Sequence, residues 1–155
     1  MLKLVSPVIG FAILVAVAAP RGAEQDRPAR QVRGEAGETR IDRSDDGHFY
    51  VEASVNDQPV RFMVDTGATP VALTLADAER IGIEVEREAF QVVGSGASGP
   101  VHGERLVLDS VDIDGKTATG VRAAVVDGLD VSLLGQAYLA QLERVEISGD
   151  EMVLR

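Results

Sequence analysis

Phe49, Val51, Ala53 and Val55 alternate with Tyr50, Glu52 and Ser54, a period of two that predicts a half-buried strand. Asn56-Asp57-Gln58-Pro59 has turn chemistry, and residues 60–64 resume the strand pattern with Phe62 on the buried side. The two predict a hairpin that runs into Asp65-Thr66-Gly67-Ala68-Thr69. A short strand follows at 71–73. Thr74 then caps a helix over 75–81, with Asp77 at the capping-box spacing and Gly82 as the stop. A further β region at 90–93 is interrupted by Gly94-Ser95-Gly96-Ala97-Ser98-Gly99 and resumes over 105–111. Asp114-Gly115 predicts a tight hairpin turn, with 119–126 as the returning strand. Leu133-Leu134-Gly135 leads into a helix-like 136–142. Residues 145–147, a Ser148-Gly149-Asp150 turn and residues 152–154 close the chain. Many short strands with one or two short helices predict an all-β, barrel-like domain. A faint internal echo, an apolar strand running into glycine, occurs at 62–67 and again at 132–135.

The first 44 residues follow neither period. Residues 4–19 are almost wholly apolar, broken by Ser6, Pro7 and Gly10 and preceded by Lys3. About 16 apolar residues fall short of the roughly 20 of a spanning helix and suit the core of a secretory signal. Val17-Ala18-Ala19 offers the small-residue ending of a cleavage site, whereas Pro20 disfavours cutting there, so a cleaved signal and an uncleaved anchor both stand. Residues 1–20 are thus expected as signal or membrane anchor, which places the protein outside the cytoplasm, periplasmic or membrane-attached. Residues 21–44, charged and rich in Gly, Pro and Ala, are expected as a flexible linker, and 45–155 as the domain.

Of 155 residues, 25 are acidic and 15 basic, a formal charge of −10. The balance is uneven: residues 1–43 carry 7 basic and 5 acidic side chains (+2), residues 44–155 carry 8 and 20 (−12). An acidic body with 4% aromatic residues and no Trp excludes a nucleic-acid partner, since it has neither a basic footprint nor stacking platforms. The absence of Cys removes disulfides, thiolate nucleophiles and sulfur-bound zinc. His48 and His102 have no carboxylates at metal-binding spacing, and Asp112-Ile113-Asp114-Gly115 lacks the downstream ligands of a calcium loop. No metal and no cofactor is expected. The run 94–99 matches G-x-G-x-x-G, but it continues into an alternating strand rather than a helix, so it is no dinucleotide loop. Neither Ser95 nor Ser98 sits at the G-x-S-x-G spacing of a nucleophile elbow.

The informative segment is Phe62-Met63-Val64-Asp65-Thr66-Gly67-Ala68-Thr69. A carboxylate at the end of an apolar strand sits where desolvation perturbs its pKa. Gly67, two residues on, lets the backbone turn and point amide hydrogens back at it, and Thr66 offers a hydroxyl to lock the turn. An isolated Asp-Thr-Gly is most often a plain hairpin turn. Here apolar strand residues flank it on both sides, which a plain turn does not require.

This segment resembles the active-site signature of retropepsin-like aspartic proteases, in particular their bacterial membrane-associated branch. The resemblance covers 47–155. It takes in the hairpin before Asp65, then Val71-Ala72-Leu73-Thr74, and then Ser132-Leu133-Leu134-Gly135-Gln136-Ala137-Tyr138-Leu139. That last piece is similar to the family's second hallmark, two aliphatic residues (Leu133, Leu134) and a glycine (Gly135) threaded behind the catalytic turn. Two features depart from relatives: retroviral members carry Arg where this chain has Gln136, and pepsin-type members carry two Asp-Thr-Gly turns where this chain has one. The resemblance implies a retropepsin-like acid-protease barrel and an aspartic endopeptidase acting on polypeptide, with Asp65 catalytic. Gly67 would donate its amide to the carboxylate, Thr66 would bond across a dimer, and Ala68 would keep the floor of the site small. Gly94 to Gly99, with Ser95, Gly96, Ala97 and Ser98, fall where the family places its mobile, substrate-binding flap. Hydrolysis by this route needs two carboxylates sharing a proton, and one chain supplies one, so activity requires a homodimer. Two further readings stay open: a non-catalytic peptide-binding or dimerisation domain with the same fold, and an enzyme released by processing of the linker.

Overall fold

The structure, a computed structural model, describes residues 12–13, 31–33, 37–96 and 99–155. The expected signal or anchor at 4–19 lies outside the described residues except for Ala12–Ile13. The strands are β1 (Ala12–Ile13), β2 (Gln31–Arg33), β3 (Thr39–Asp42), β4 (Tyr50–Val55), β5 (Gln58–Val64), β6 (Val71–Thr74), β7 (Gln91–Gly96), β8 (Gly99–Ile113), β9 (Lys116–Val126), β10 (Ser132–Leu134), β11 (Val145–Ser148) and β12 (Glu151–Leu154). Two short helices, α1 (Leu75–Arg80) and α2 (Gln136–Leu139), and one 3₁₀ turn (Arg87–Ala89) complete the described elements.

Six strands close into a barrel in the order β8-β4-β5-β10-β6-β9, with β9 returning to β8. Closure removes the open edges that a six-stranded all-β sheet would otherwise leave. β7 pairs with the outer part of β8 and extends it as a hairpin beyond the barrel, and β1 lies parallel to Ser95 and Gly96 at that hairpin's free edge. Apart from the barrel, β11, β12, β3 and β2 form a four-stranded sheet.

The alternation read from the sequence is the alternation of burial. In β4, Val51, Ala53 and Val55 point inward and meet Phe62 and Val60 of β5, while Glu52 faces out. Leu73, Val121, Val125, Leu108, Val111 and Ile113 fill the same interior. Tyr138 of α2, fully buried, plugs one end and donates its hydroxyl to Lys116 O at 2.7 Å. Burial pushes its phenol well above the usual range, aided by the charges of Asp112 and Asp114.

Two expectations change. The β4–β5 turn is tighter than the four residues 56–59: Val55 faces Gln58, and Asn56 and Asp57 alone make the turn, with φ of 47° and 66°. Two left-handed residues are what a two-residue turn needs to match strand twist, and Asn and Asp tolerate them. Residues 21–44 are also not linker throughout. β3 lies inside that stretch, pairs with β12 from Thr39↔Leu154 to Asp42↔Glu151, and buries Thr39 and Ile41 completely. The folded body therefore starts ahead of residue 45. Only Ile41 gives an apolar signal among those four residues, too little for a period-two reading.

Candidate active site

Asp65 follows directly on β5, and its neighbour there is the second half of the internal echo. β10 runs parallel to β5 with Ser132 beside Phe62, Leu133 beside Met63 and Leu134 beside Val64. The two apolar segments that resemble each other in sequence lie side by side in register. The ladder continues into the turn, where Asp65 N donates to Leu134 O at 3.1 Å. Ala68 N then donates to Asp65 O at 3.2 Å and closes the turn. Inside it, Gly67 N donates to the Asp65 carboxylate Oδ1 at 2.8 Å. The other oxygen, Oδ2, is buried and accepts no hydrogen bond among the described residues. Ala68 is fully buried beneath the turn, whereas Thr66 and Gly67 are exposed on top of it.

Gly135 sits where no side chain fits. A Cβ there would lie 2.1 Å from Pro70 O and 2.7 Å from Ala68 O, both backbone atoms. The close approach puts the start of α2 against the loop that follows Asp65. The first amides of a helix have no partner within it, and Gly135 at the N-cap has no side chain to offer. The loop supplies the partners: Gln136 N donates to Ala68 O at 2.8 Å and Ala137 N to Thr69 O at 2.7 Å. Gln136 adds its own Nε2, which donates to Thr66 O at 2.9 Å. The residue that replaces the retroviral Arg thus ties α2 to the turn within the chain.

A third connection runs through Ser132, fully buried on β10. Thr74 caps α1 as expected, its hydroxyl accepting from Asp77 N at 3.0 Å. The reciprocal bond of a capping box, from the N-cap amide to the third residue's carboxylate, is relayed instead. Thr74 N donates to Ser132 Oγ at 3.1 Å, and Ser132 Oγ donates to Asp77 Oδ2 at 2.6 Å. Burial works to raise the Asp77 pKa, but hydrogen bonds from Ser132, Arg80 and Thr74 outweigh it and hold the carboxyl below its usual range.

The glycine-rich stretch forms the end of the β7–β8 hairpin, with Ser95 opposite Pro100 and Gly96 opposite Gly99. A bulge between Val92 and Gly94 precedes it, and Ala97 and Ser98 lie outside the described residues. The stretch is paired strand almost to its tip, not an interruption between strands. At its base, Arg105 donates to Val93 O at 2.7 Å. Thr69 and Pro70, which follow the Asp65 turn, and Val93 and Arg105, at the base of the hairpin, therefore border one cavity.

Asp65, Thr66, Gly67 and Ala68 form one unit with Leu133, Leu134 and Gly135, while Val93, at the start of the glycine-rich stretch, lines the cavity beside it. The roles of Ser132 and Gln136 are missed by sequence reasoning. The Asp77 spacing pointed to a capped helix, and nothing local announces a serine 58 residues away between cap and carboxylate.

Comparison with known proteins agrees with this geometry. Residues 51–138 match the family model described as aspartyl protease. An uncharacterized protein of Rickettsia prowazekii (strain Madrid E) is 36% identical over 128 residues, 82% of this chain and 55% of its own length. An uncharacterized protein from a Sinorhizobium species is 36% identical over 111 residues, 70% of this chain and 48% of its own. The chain spans about half the length of these curated relatives. Among solved structures, a retropepsin-like aspartic protease from Rickettsia conorii superposes with a TM-score of 0.64 at 34% identity, covering 76% of this chain and 89% of that one. The EIAV protease, solved with the inhibitor HBY-793, shares the fold with a TM-score of 0.50 at 24% identity, over 59% of this chain and 84% of its own.

Proposed function

The chain belongs to the aspartyl protease family, retropepsin-like in fold, and from that premise we propose that it is an aspartic endopeptidase active as a homodimer. The observation that carries the reading is the Asp65 carboxylate: one oxygen is fixed by the Gly67 amide at 2.8 Å and the other is buried with no partner among the described residues. A buried carboxylate oxygen left unpaired is costly and is retained where chemistry uses it. A second copy of the chain would bring a second Asp65 to share one proton, because two adjacent carboxylates do not both ionise.

In the proposed reaction the ionised Asp65 takes a proton from a water as that water attacks the scissile carbonyl carbon. The protonated Asp65 of the second copy gives its hydrogen bond, and then its proton, to the carbonyl oxygen. The gem-diol collapses with proton transfer to the departing amine, which restores the shared proton. The peptide lies extended between the turn and the β7–β8 hairpin, held through its backbone, and the glycines at the tip let the hairpin act as a flap. The chain is exported or held at a membrane through residues 4–19, a proposal that fractionation of cells expressing the full chain checks.

The test is digestion of an unfolded protein from about pH 4 to 7 by the parent and by Asp65→Asn, with the oligomeric state of both measured by sedimentation. Cleavage by the parent dimer alone, falling away above about pH 7, is expected. A parent that is dimeric, folded and as inert as Asp65→Asn would replace the enzyme with a peptide-binding domain.

A further inference from the structure

The cavity beside the catalytic turn has a composition that the hydrolytic chemistry does not explain. It measures about 470 Å³ and opens between Thr69 and Pro70 on one side and Val93 on the other. Ala72 of β6 and Ala124 of β9 are register neighbours and, with Val126, form its apolar floor. The two alanines make the room; larger residues on those strands would fill it. The alternation that puts Ala124 on this face also puts Arg122 there, and the β8–β9 register adds Arg105 opposite Ala124 and Val107 opposite Arg122. Both guanidiniums belong to exposed residues that line the cavity. Arg105 is held in place by its bond to Val93 O, which leaves most of its five N–H donors without a partner among the described residues.

The charge census makes these two arginines unusual. Residues 44–155 hold 20 carboxylates and 8 basic side chains. Arg80 pairs with Asp77, Arg87 with Asp127, Arg144 with Glu146 and Arg155 with Glu38. Arg61 covers the Tyr50 ring, and Lys116 bonds Thr39 at 2.7 Å. Arg105 and Arg122 have neither an ion pair nor a ring contact among the described residues. In so acidic a body, two guanidiniums without a carboxylate, both on the wall of one apolar cavity, match an acidic ligand group brought from outside.

We propose that this cavity is a side-chain subsite that selects an acidic residue, Glu or Asp, of the bound peptide at a position away from the cleaved bond. The proposal rests on the reading of the chain as a peptide-cleaving enzyme with its substrate between turn and flap. The methylenes of the acidic side chain lie on Ala72, Ala124 and Val126, and its carboxylate bridges Arg105 and Arg122. Because Arg105 also holds the flap strand at Val93, filling the subsite draws on the same guanidinium that fixes the base of the flap.

The experiment uses the full chain and a peptide mixture from a digested bacterial proteome, with the sequences around each cleaved bond read by mass spectrometry. Asp and Glu should be enriched at one fixed position. In a synthetic peptide drawn from that set, Glu→Gln at that position should lower kcat/KM roughly fivefold, the scale of a partly exposed charge-assisted contact. With Arg105→Gln and Arg122→Gln together the Glu/Gln ratio should fall to about one, and with both changed to Glu the preference should turn to Lys and Arg. Arg122→Gln alone, which leaves the Val93 bond intact, should give an intermediate ratio. Absence of acidic enrichment, or a Glu/Gln ratio unchanged in the double Gln variant, overturns the subsite. If the parent cuts nothing, the same mixture is passed over immobilised Asp65→Asn chain. Retention of acidic peptides that the double Gln substitution abolishes supports the subsite and removes only the hydrolytic reading. Retention without regard to charge, or none, overturns the subsite.

Discussion

Gly135, in the unit around the Asp65 turn, and Gly99, at the end of the β7–β8 hairpin, are glycine for opposite reasons. Gly135 has ordinary extended backbone, φ −94°, but no space: the carbonyls of Pro70 and Ala68 occupy the position of a side chain. Gly99 has space, nothing within 4 Å of where a Cβ would stand, but φ of +117°. One glycine lets two backbone segments lock together; the other lets a hairpin tip turn. The difference separates a close-packed floor from the hairpin proposed to cover it. On the floor, Leu134 O, Ala68 O, Thr69 O and Thr66 O all accept hydrogen bonds that tie turn, strand and helix to one another. At the tip of the cover the hydrogen-bonded pairing ends at Gly96 and Gly99.

The sharpest way to break this contrast is at Asp65 itself. Asp65→Asn keeps the shape of the floor and should lower peptide hydrolysis by about 10³-fold or more with little change in melting temperature, checked by activity and thermal denaturation side by side. Gly135→Ala should do the reverse. Its methyl meets backbone on two sides, so the floor must shift, with a loss of about 3 kcal/mol or more in urea unfolding. Ser132→Ala leaves the Thr74 amide without its partner and Asp77 without its strongest donor, a loss of about 1–3 kcal/mol.

The Ser132 variant also carries a pH signature. The folded pKa of Asp77 is lowered, so its contribution is complete above the unfolded value near 3.8 and is lost as pH falls through the folded value. Denaturant midpoints of the parent should therefore fall through that acid range, and Ser132→Ala should flatten that part of the curve. Gly99→Ala is the smallest effect, about 1 kcal/mol from a methyl-bearing residue at positive φ. It should slow turnover more than it lowers stability, because it acts on the cover and not on the floor; stopped-flow binding of a fluorescent peptide compared with urea unfolding separates the two.

The floor was largely legible in the sequence because its function writes itself into short, dense motifs. Asp65-Thr66-Gly67-Ala68 between apolar strands, and Leu133-Leu134-Gly135 before a helix, each carry their own local logic, whereas their parallel pairing emerges only from the β5–β10 register. What stayed hidden depends on pairs far apart in the chain. The Thr74–Ser132–Asp77 relay joins residues 58 and 55 positions apart through one hydroxyl. Arg105 and Arg122 have no periodic signature; only the β8–β9 register places them on one cavity wall. β3 was lost for a related reason. Its four residues Thr-Arg-Ile-Asp carry one clear apolar side chain, and β12 from the far end of the chain decides that they form a strand.

The central claim is that one active site is made from two copies of Asp65. It is tested by unfolding parent and Asp65→Asn together in equal amounts, refolding the mixture and measuring its total hydrolysis. Random pairing makes about one-quarter of the dimers fully parental. A shared dyad predicts total activity near a quarter of that of the same total protein as parent. Activity near one-half, proportional to the parent chains present, would mean that each Asp65 works alone and would contradict the account.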